Sequence, residues 1–161
     1  MNGWWQKLRE KLAERWRWFW GVREPGPNTA AAARGRLGED AAAAFLRERG
    51  WKMVVRNWRH GRDELDLVAW DGEVLAFVEV RTRAAHSPVQ GYHSVTNRKK
   101  HALARAVRAY LRGLREKPAH FRFDIVEVRV SDGAAPEVVL HVGVPLLPNN
   151  FTPARGDGRR P

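Results

Sequence analysis

The sequence contains no cysteine, so disulfide bonds and metal sites built from thiolates are excluded. It also has no apolar run long enough to span a bilayer. Charged residues interrupt the N-terminal segment every few positions, which is not the pattern of the apolar core of a signal peptide. From these absences we expect a cytoplasmic protein.

Acidic residues are scarce relative to basic ones. The chain of 161 residues has 18 Asp and Glu against 29 Lys and Arg, which gives a formal net charge of +11 at pH 7. This excess does not determine the fold, but it favours a polyanionic partner: nucleic acid first, and an anionic membrane surface second. The length is sufficient for one domain of ordinary size.

Composition divides the chain into four segments. Residues 1–20 are predicted to form a Trp-rich amphipathic helix, because apolar residues recur at every fourth position with charged residues opposite. Residues 21–34 contain two prolines around a glycine and are interpreted as a linker. Residues 35–147 form the main domain, and the polar, basic residues 148–161 are predicted to be a disordered tail.

The role of the N-terminal helix is open between three interpretations. Its tryptophans can pack on the main domain or on a second copy of the chain, which would make a homodimer. They also suit a membrane interface, because basic residues lie nearby, and they can stack on nucleic-acid bases. Residues 4–20 are therefore candidates for contact with a membrane surface or for self-association.

Hydrophobic periodicity and turn residues predict two helices and five strands in the main domain. In chain order the elements are a helix at 37–49, strands at 51–58, 64–69 and 74–81, a helix from Thr96 to about Arg115, and strands at 121–130 and 138–142. The order α-β-β-β-α-β-β predicts an α/β fold in which helices flank a mixed sheet.

Two of these strands carry an unusual concentration of carboxylates. A two-residue Asp71-Gly72 loop predicts a tight hairpin in which Glu64 faces Glu79. Since side chains alternate along a strand, both share one face with Asp66 and Arg81, and a register slip of two residues would not separate them. Like charges opposite one another are destabilising, and binding of a divalent cation is the usual reason for placing them together.

Asp66 and Glu79 are the best ligand pair for Mg²⁺, which binds oxygen and keeps several of its waters. Glu64 is either a further ligand or a group beside the ligands, and Arg81 can hold a scissile phosphate oxygen. The alternative is a solvated polar face with Arg–Glu pairs. Apolar residues on the same face, among them Phe77, argue against a fully solvated surface, and the basic excess favours an anionic substrate.

The start of the second helix is a candidate contact for nucleic acid. Thr96 can cap it, and Arg98, Lys99 and Lys100 follow in the first turn, where backbone N–H groups favour phosphate. The alternative is a capped and solvated helix end. Asp124 in the fourth strand is predicted to pair with a basic residue and to position the sheet instead of taking part in catalysis.

Four motifs occur in order within residues 34–130: Gly38-Glu39-Asp40 at a helix start, GRDELDLVAWDGEVLAFVEVRTR, SVTNRKK and RFDIVEV. Together they resemble the YraN-like family of bacterial proteins. The resemblance implies a restriction-endonuclease-like fold of the PD-(D/E)xK nuclease superfamily, similar to that of archaeal Holliday-junction resolvases. It also implies a nuclease that uses Mg²⁺ or Mn²⁺.

The resemblance assigns roles to individual residues. Glu39 matches the acidic residue on the first helix that completes the metal site. Glu64 and Asp66 match a Gly-Glu-x-Asp signature whose aspartate binds the metal, although Asp63 stands here in place of the glycine. Glu79 matches the acid of the (D/E)xK half-motif.

Arg81 stands where the superfamily has its lysine. Arginine stays protonated and cannot act as a base, but it can stabilise phosphate charge, and Arg81 and Arg83 are candidates to contact nucleic acid. Either the metal activates the water without a lysine, or a lysine from elsewhere takes this role. Lys99 and Lys100 are the candidates.

The sequence therefore predicts a Mg²⁺- or Mn²⁺-dependent nuclease acting on DNA, with branched or flapped DNA as candidate substrates. Two alternatives belong to other classes of protein. One is a nucleic-acid-binding module whose site no longer cuts, and the other is a membrane-associated protein anchored by the Trp-rich helix.

Overall fold

The computed structural model describes residues 30–84, 96–131 and 133–146. The predicted Trp-rich helix, the first part of the linker, the loop before the second helix and the basic tail lie outside these ranges. The described elements are α1 (Ala30–Glu48), β1 (Lys52–His60), β2 (Asp63–Asp71), β3 (Val74–Ala84), α2 (Asn97–Gly113), β4 (His120–Val130) and β5 (Glu137–His141). Their order is the predicted α-β-β-β-α-β-β.

In the described part of the chain the strands form one sheet of five, in the order β1-β2-β3-β4-β5. Neighbouring strands are antiparallel except β3 and β4, which are parallel. A parallel pair requires a long crossover connection, and α2 lies in that connection. The prediction of an α/β fold with a mixed sheet and flanking helices is confirmed.

The two faces of the sheet pack on different helices. On one face, the apolar stripe of α2 that includes Leu103 packs with Phe77 and Ile125. On the other face, Leu46 of α1 packs with Val78. The sheet is therefore enclosed between the two helices, and a polar side chain on either face of its central strands is taken out of water.

The first residues of both helices are explained by nearby residue types: a capping threonine for α2 and an alanine-rich stretch for α1. Thr96 caps α2 as predicted, because the Lys99 N–H donates to Thr96 Oγ1 at 3.3 Å. The first helix begins at Ala30, earlier than the predicted Leu37, so residues 30–34 of the predicted linker are helical. Alanine has the highest helix propensity, which explains why this alanine-rich stretch extends α1. Neither described helix has the length and apolar composition needed to cross a membrane.

The hairpin register differs from the prediction by two residues. Asp71 pairs with Val74, so the loop consists of Gly72 and Glu73 instead of Asp71 and Gly72. Gly72 adopts φ +57°, the positive φ that the first position of a tight hairpin loop requires. The predicted pairing of Glu64 with Glu79 is therefore wrong. The next positions after the last backbone pair, Leu67 with Val78, are Asp66 and Glu79.

Asp124 has the structural partner that was predicted for it. It is fully buried in β4, where Arg122 Nε donates to its Oδ2 at 2.8 Å and the Gly143 N–H donates to its Oδ1 at 2.8 Å. Arg122 also donates to Asp71 Oδ2 at 2.7 Å. This network ties β4 to the hairpin and to the segment after β5, on the sheet face that packs on α1.

Candidate active site

Two carboxylates meet where the backbone pairing of β2 and β3 ends. Beyond the last pair, the Val80 N–H donates to Asp66 Oδ2 at 2.8 Å, so a side chain replaces a backbone acceptor at this point. The neighbouring Glu79 is only 2% exposed, because it continues the face of β3 that packs on α2. The strands thus place one partly buried and one fully buried acid side by side.

Burial controls the acidity of this pair. Burial and, after it, the charge of Asp66 raise the pKa of Glu79 to about 7, against the opposing charges of Lys99 and Arg81. Burial also raises the pKa of Asp66, against the hydrogen bond from Val80 and the charge of Lys99. Two adjacent carboxylates that resist ionisation are a recurring property of functional sites.

Two cations share one oxygen of Glu79. The Lys99 Nζ lies 3.1 Å from Glu79 Oε1, and the Arg81 Nε lies 3.4 Å from the same oxygen. Lys99 lies in the first turn of α2, which Thr96 caps, and α2 packs on the face of β3 that carries Glu79. Of the two candidate lysines, Lys99 is the one whose side chain contacts Glu79. The backbone N–H of Lys100 donates to Thr96 O at 2.9 Å.

The other oxygen of Glu79 is available to a ligand. Within the described ranges, Glu79 Oε2 is buried and has no hydrogen-bond partner, and the same is true of Arg81 Nε. A buried, unpaired carboxylate oxygen is costly unless a cation or donor completes it. Among the described residues no three His, Asp or Glu side chains converge as a ready ligand group. Asp66 and Glu79 are nevertheless sufficient in number and chemistry for Mg²⁺, which binds through one or two carboxylates and keeps waters.

Glu39 lies on α1, and its carboxylate contacts β1. Gly38 allows the helix to lie against β3, since a Cβ there would come 1.7 Å from Thr82 Oγ1. The Asn57 Nδ2 donates to Glu39 Oε2 at 2.9 Å. Burial raises the pKa of Glu39, the hydrogen bond from Asn57 opposes this shift, and the charges of Asp66 and Glu64 add to it.

The start of β2 is tied to basic residues. Arg59 Nη2 lies 2.8 Å from Glu64 Oε2, and Glu64 is about one-third exposed, so it is a flanking member of the group. Asp63, which occupies the place of the signature glycine, receives two hydrogen bonds from Arg105 at 2.7 and 2.9 Å. This pairing lowers the pKa of Asp63 and joins β2 to α2.

The residues predicted to contact nucleic acid lie on β3 and at the start of α2. Arg83 follows Arg81 on one face of β3, and its Nε is buried with no hydrogen-bond partner in the portion of the chain described. Thr96 and Arg98 are exposed at the start of α2, and Lys100 is partly exposed. Of the predicted cations, Arg81 on the strand and Lys99 on the helix contact the Glu79 carboxylate.

Sequence reasoning missed two polar residues near the site. The sequence analysis gave Asn57 no role. An asparagine inside a predicted strand could have indicated a left-handed backbone position, because asparagine tolerates that conformation. Glu127 is 2% exposed on the α2 face, level with Arg81 in the parallel register, and it accepts from Arg129 Nε at 2.9 Å. The position of Glu127 between two valines of a predicted strand could have indicated that this carboxylate is buried.

Comparison with known proteins agrees with the motifs. A family model described as "Uncharacterised protein family UPF0102" matches residues 38–128. A UPF0102 protein of Nitratidesulfovibrio vulgaris (strain DP4) is 44% identical over 97 residues, covering 60% of this chain and 72% of the relative. UPF0102 proteins of Chlorobium limicola (39% over 94 residues; 58% and 73%) and Symbiobacterium thermophilum (45% over 94 residues; 58% and 80%) are also similar. The chain belongs to the UPF0102 family, the YraN-like group that its motifs resemble.

Proposed function

We propose that this protein is a divalent-metal-dependent nuclease that hydrolyses phosphodiester bonds in DNA. The observation that carries the proposal is the arrangement around Glu79: a buried carboxylate beside Asp66, with Lys99 and Arg81 on one oxygen and an unpaired second oxygen. Acids that can hold a metal and cations that can hold a phosphate thus meet at one point.

Asp66 and Glu79 would hold Mg²⁺ or Mn²⁺, and Glu39 would support them from α1. When bound, such an ion polarises a phosphoryl oxygen and makes a water more acidic. The chain's own contribution is positional. Val80 fixes one oxygen of Asp66, and Asn57 fixes one oxygen of Glu39.

Lys99 is suited to the role of the absent lysine of the half-motif. Its ammonium is held by Glu79 at the first turn of α2, and it can donate to a phosphate oxygen or to the attacking water. The guanidinium of Arg81 has donors and no acceptor, so it can only donate to a phosphate and stabilise negative charge. We assign the donor function to Lys99 and the purely electrostatic function to Arg81.

DNA is the proposed substrate because the surroundings of the site are cationic. Exposed or partly exposed Arg98 and Lys100 adjoin Lys99, the N–H groups of the first turn of α2 favour phosphate, and the chain as a whole carries +11. A branched or flapped DNA is the first substrate to try, following the resemblance to junction resolvases.

One observation favours a second candidate, a nucleic-acid-binding module without turnover. Lys99 and Arg81 already offset the charge of Glu79 without a metal. In such a module these cations would be permanent partners of Glu79, and phosphate would be bound but not cut.

A cleavage assay separates the two candidates. Purified protein is incubated with labelled branched and linear DNA in Mn²⁺ or in a chelator, and DNA binding is followed in parallel. The nuclease proposal predicts metal-dependent cutting that Asp66→Ala and Glu79→Ala each abolish while binding survives. Cutting that persists in both variants contradicts the site, and tight binding without any cutting by the wild type supports the binding module.

A further inference from the structure

Asn57 has an uncommon backbone conformation for a residue inside a strand. Its φ is +53°, and it is the one non-glycine residue with positive φ among residues 30–84, 96–131 and 133–146. A side chain in this region costs roughly 1–2 kcal/mol for most residues, and asparagine is one of the few that tolerate it. Such strain persists where the surrounding structure requires it, and it is frequent at functional sites.

The position of Asn57 in the sheet explains the requirement. Arg56 pairs with Leu67 and Trp58 pairs with Leu65, so Asn57 falls opposite Asp66. Residues three apart in a regular strand face opposite sides of a sheet. Trp58 and Val55, three apart on β1, nevertheless pack in the same apolar cluster.

The paired strand shows the same reversal. Leu65 and Val68 of β2 are also three residues apart, and both belong to that cluster on the α2 side. Both strands therefore change face at the Asn57–Asp66 position. The reversal takes these two side chains out of the regular alternation, so each is free to reach a partner outside its own strand pair.

The partners belong to the candidate site. The Asn57 amide donates to Glu39 Oε2 at 2.9 Å, and Asp66 Oδ2 accepts from the Val80 N–H at 2.8 Å. An amide Nδ2 can only donate and a carboxylate oxygen accepts, so this bond fixes the orientation of Glu39 Oε2. One backbone irregularity thus orients the acid that comes from α1 and the acid that comes from β2.

We propose that Asn57 is a positioning residue of the metal site: its left-handed backbone and its amide orient the Glu39 carboxylate for the ion that Asp66 and Glu79 would hold. This inference rests on the proposed function, since it assigns Glu39 to a divalent metal. Asn57 itself contacts no metal in this account. It acts through Glu39, as hydrogen-bond donors behind ligating carboxylates commonly do.

Calorimetric titration of Mn²⁺ into metal-free, full-length protein tests the proposal without relying on turnover. Asn57→Gly keeps the backbone conformation and removes the amide, and we expect it to weaken Mn²⁺ binding by about tenfold or more. Urea unfolding of the same variant is measured to show that the fold is retained. Asp40→Asn is the matched control, because it breaks the Asp40–Arg56 ion pair that also links α1 to β1 but leaves Glu39 and Asn57 intact.

A double-mutant cycle with Glu39→Gln supplies the decisive comparison. If Asn57 acts through Glu39, Asn57→Gly has little further effect on Mn²⁺ affinity once Glu39→Gln is present. An equal loss of affinity in both backgrounds, or a loss as large in Asp40→Asn, would overturn the proposal. If the wild type binds Mn²⁺ and Asn57→Gly binds it equally well, this inference alone fails. If the wild type binds no Mn²⁺, the proposed function fails with it.

Discussion

The Lys99 ammonium lies 3.1 Å from the Glu79 carboxylate, which joins the first turn of α2 to the middle of β3. In the motif that this chain resembles, a lysine two residues after that acid is expected on the strand itself. Here the strand position holds Arg81, at 3.4 Å from the same oxygen. The structure thus brings a lysine to the same carboxylate from a different element.

Removal of the Lys99 ammonium should cost activity without loss of the fold. For Lys99→Gln we expect a fall in metal-dependent DNA cleavage of about a hundredfold, the typical cost of losing one preorganised donor at a transition state. Single-turnover cleavage rates measure this effect. Arg112→Gln, on the exposed last turn of the same helix, removes the same charge and should leave the rate within about twofold of the wild type.

Arg81→Lys distinguishes a lysine role from a general charge effect. In the Lys99→Gln background, Arg81→Lys returns a lysine to the strand position and should restore part of the lost cleavage rate. If it restores none, while Lys99→Gln remains folded and still binds DNA, the two positions are not interchangeable and the assignment of Lys99 is wrong.

The metal-free protein should become less stable as pH rises through the acidic range. Burial raises the pKa of Glu79 from 4.5 to about 7, so the unfolded chain binds fewer protons than the folded one in that window. The stabilisation is complete below about pH 4.5 and is lost as pH approaches 7, by up to about 3 kcal/mol. Urea unfolding in a chelator measures it. Glu79→Gln should flatten the profile over this interval, and an unchanged slope would contradict the burial argument.

DNA binding should depend on salt through the start of α2. Arg98→Gln with Lys100→Gln should weaken binding to all DNA sequences and reduce the slope of log Kd against log salt by up to about 2, one unit for each lost phosphate contact. Fluorescence anisotropy over a salt series gives the slope. The matched control is Arg47→Gln with Lys52→Gln, which loses the same charge at exposed positions of α1 and β1. An equal effect in both pairs would show that only net charge matters.

The close packing of α1 on β3 should make two glycines respond in opposite ways to alanine. A Cβ at Gly38 would lie 1.7 Å from Thr82 Oγ1, whereas a Cβ at Gly35 meets nothing within 4 Å. Gly38→Ala should therefore lose roughly 1–3 kcal/mol of unfolding free energy through overpacking. Gly35→Ala should gain up to about 1 kcal/mol from helix propensity. Chemical denaturation measures both, and a stabilising Gly38→Ala would show that α1 does not pack as described.

Much of the fold follows from local patterns in the sequence. Alternation and turn residues identified every described strand, and Thr96 marked the start of α2, because capping chemistry is local. The predicted hairpin register differs from the observed one by two residues. A glycine suits either position of a two-residue loop, so the loop sequence does not select the register. Cross-strand packing, such as that of Val68 with Phe77, selects it. The prediction that Asp66 and Glu79 lie close together is compatible with the observed register, in which they are the next positions after the last backbone pair. The prediction that Glu64 shares one face with Glu79 is wrong, because β2 changes face at Asp66: Leu65 and Val68 pack in one cluster and Leu67 in the other.

The remaining features of the site depend on contacts between distant elements. The choice of Lys99 over Lys100 is fixed by the rotation of α2 on the sheet. The hydrogen bond from Asn57 to Glu39 needs the reversal of β1 at φ +53°, which no periodicity signals. The burial of Glu79 follows from the strand continuing beneath α2, and the charge pattern alone did not distinguish it from the more exposed Glu64.

Titration of Mn²⁺ into the metal-free protein by calorimetry tests the central claim most directly. The wild type should bind Mn²⁺ saturably, and Asp66→Asn and Glu79→Gln should each abolish the binding heat while remaining folded by circular dichroism. Absence of a binding heat with the wild type, or retention of wild-type affinity in both variants, would contradict the assignment of Asp66 and Glu79 as the metal-binding pair.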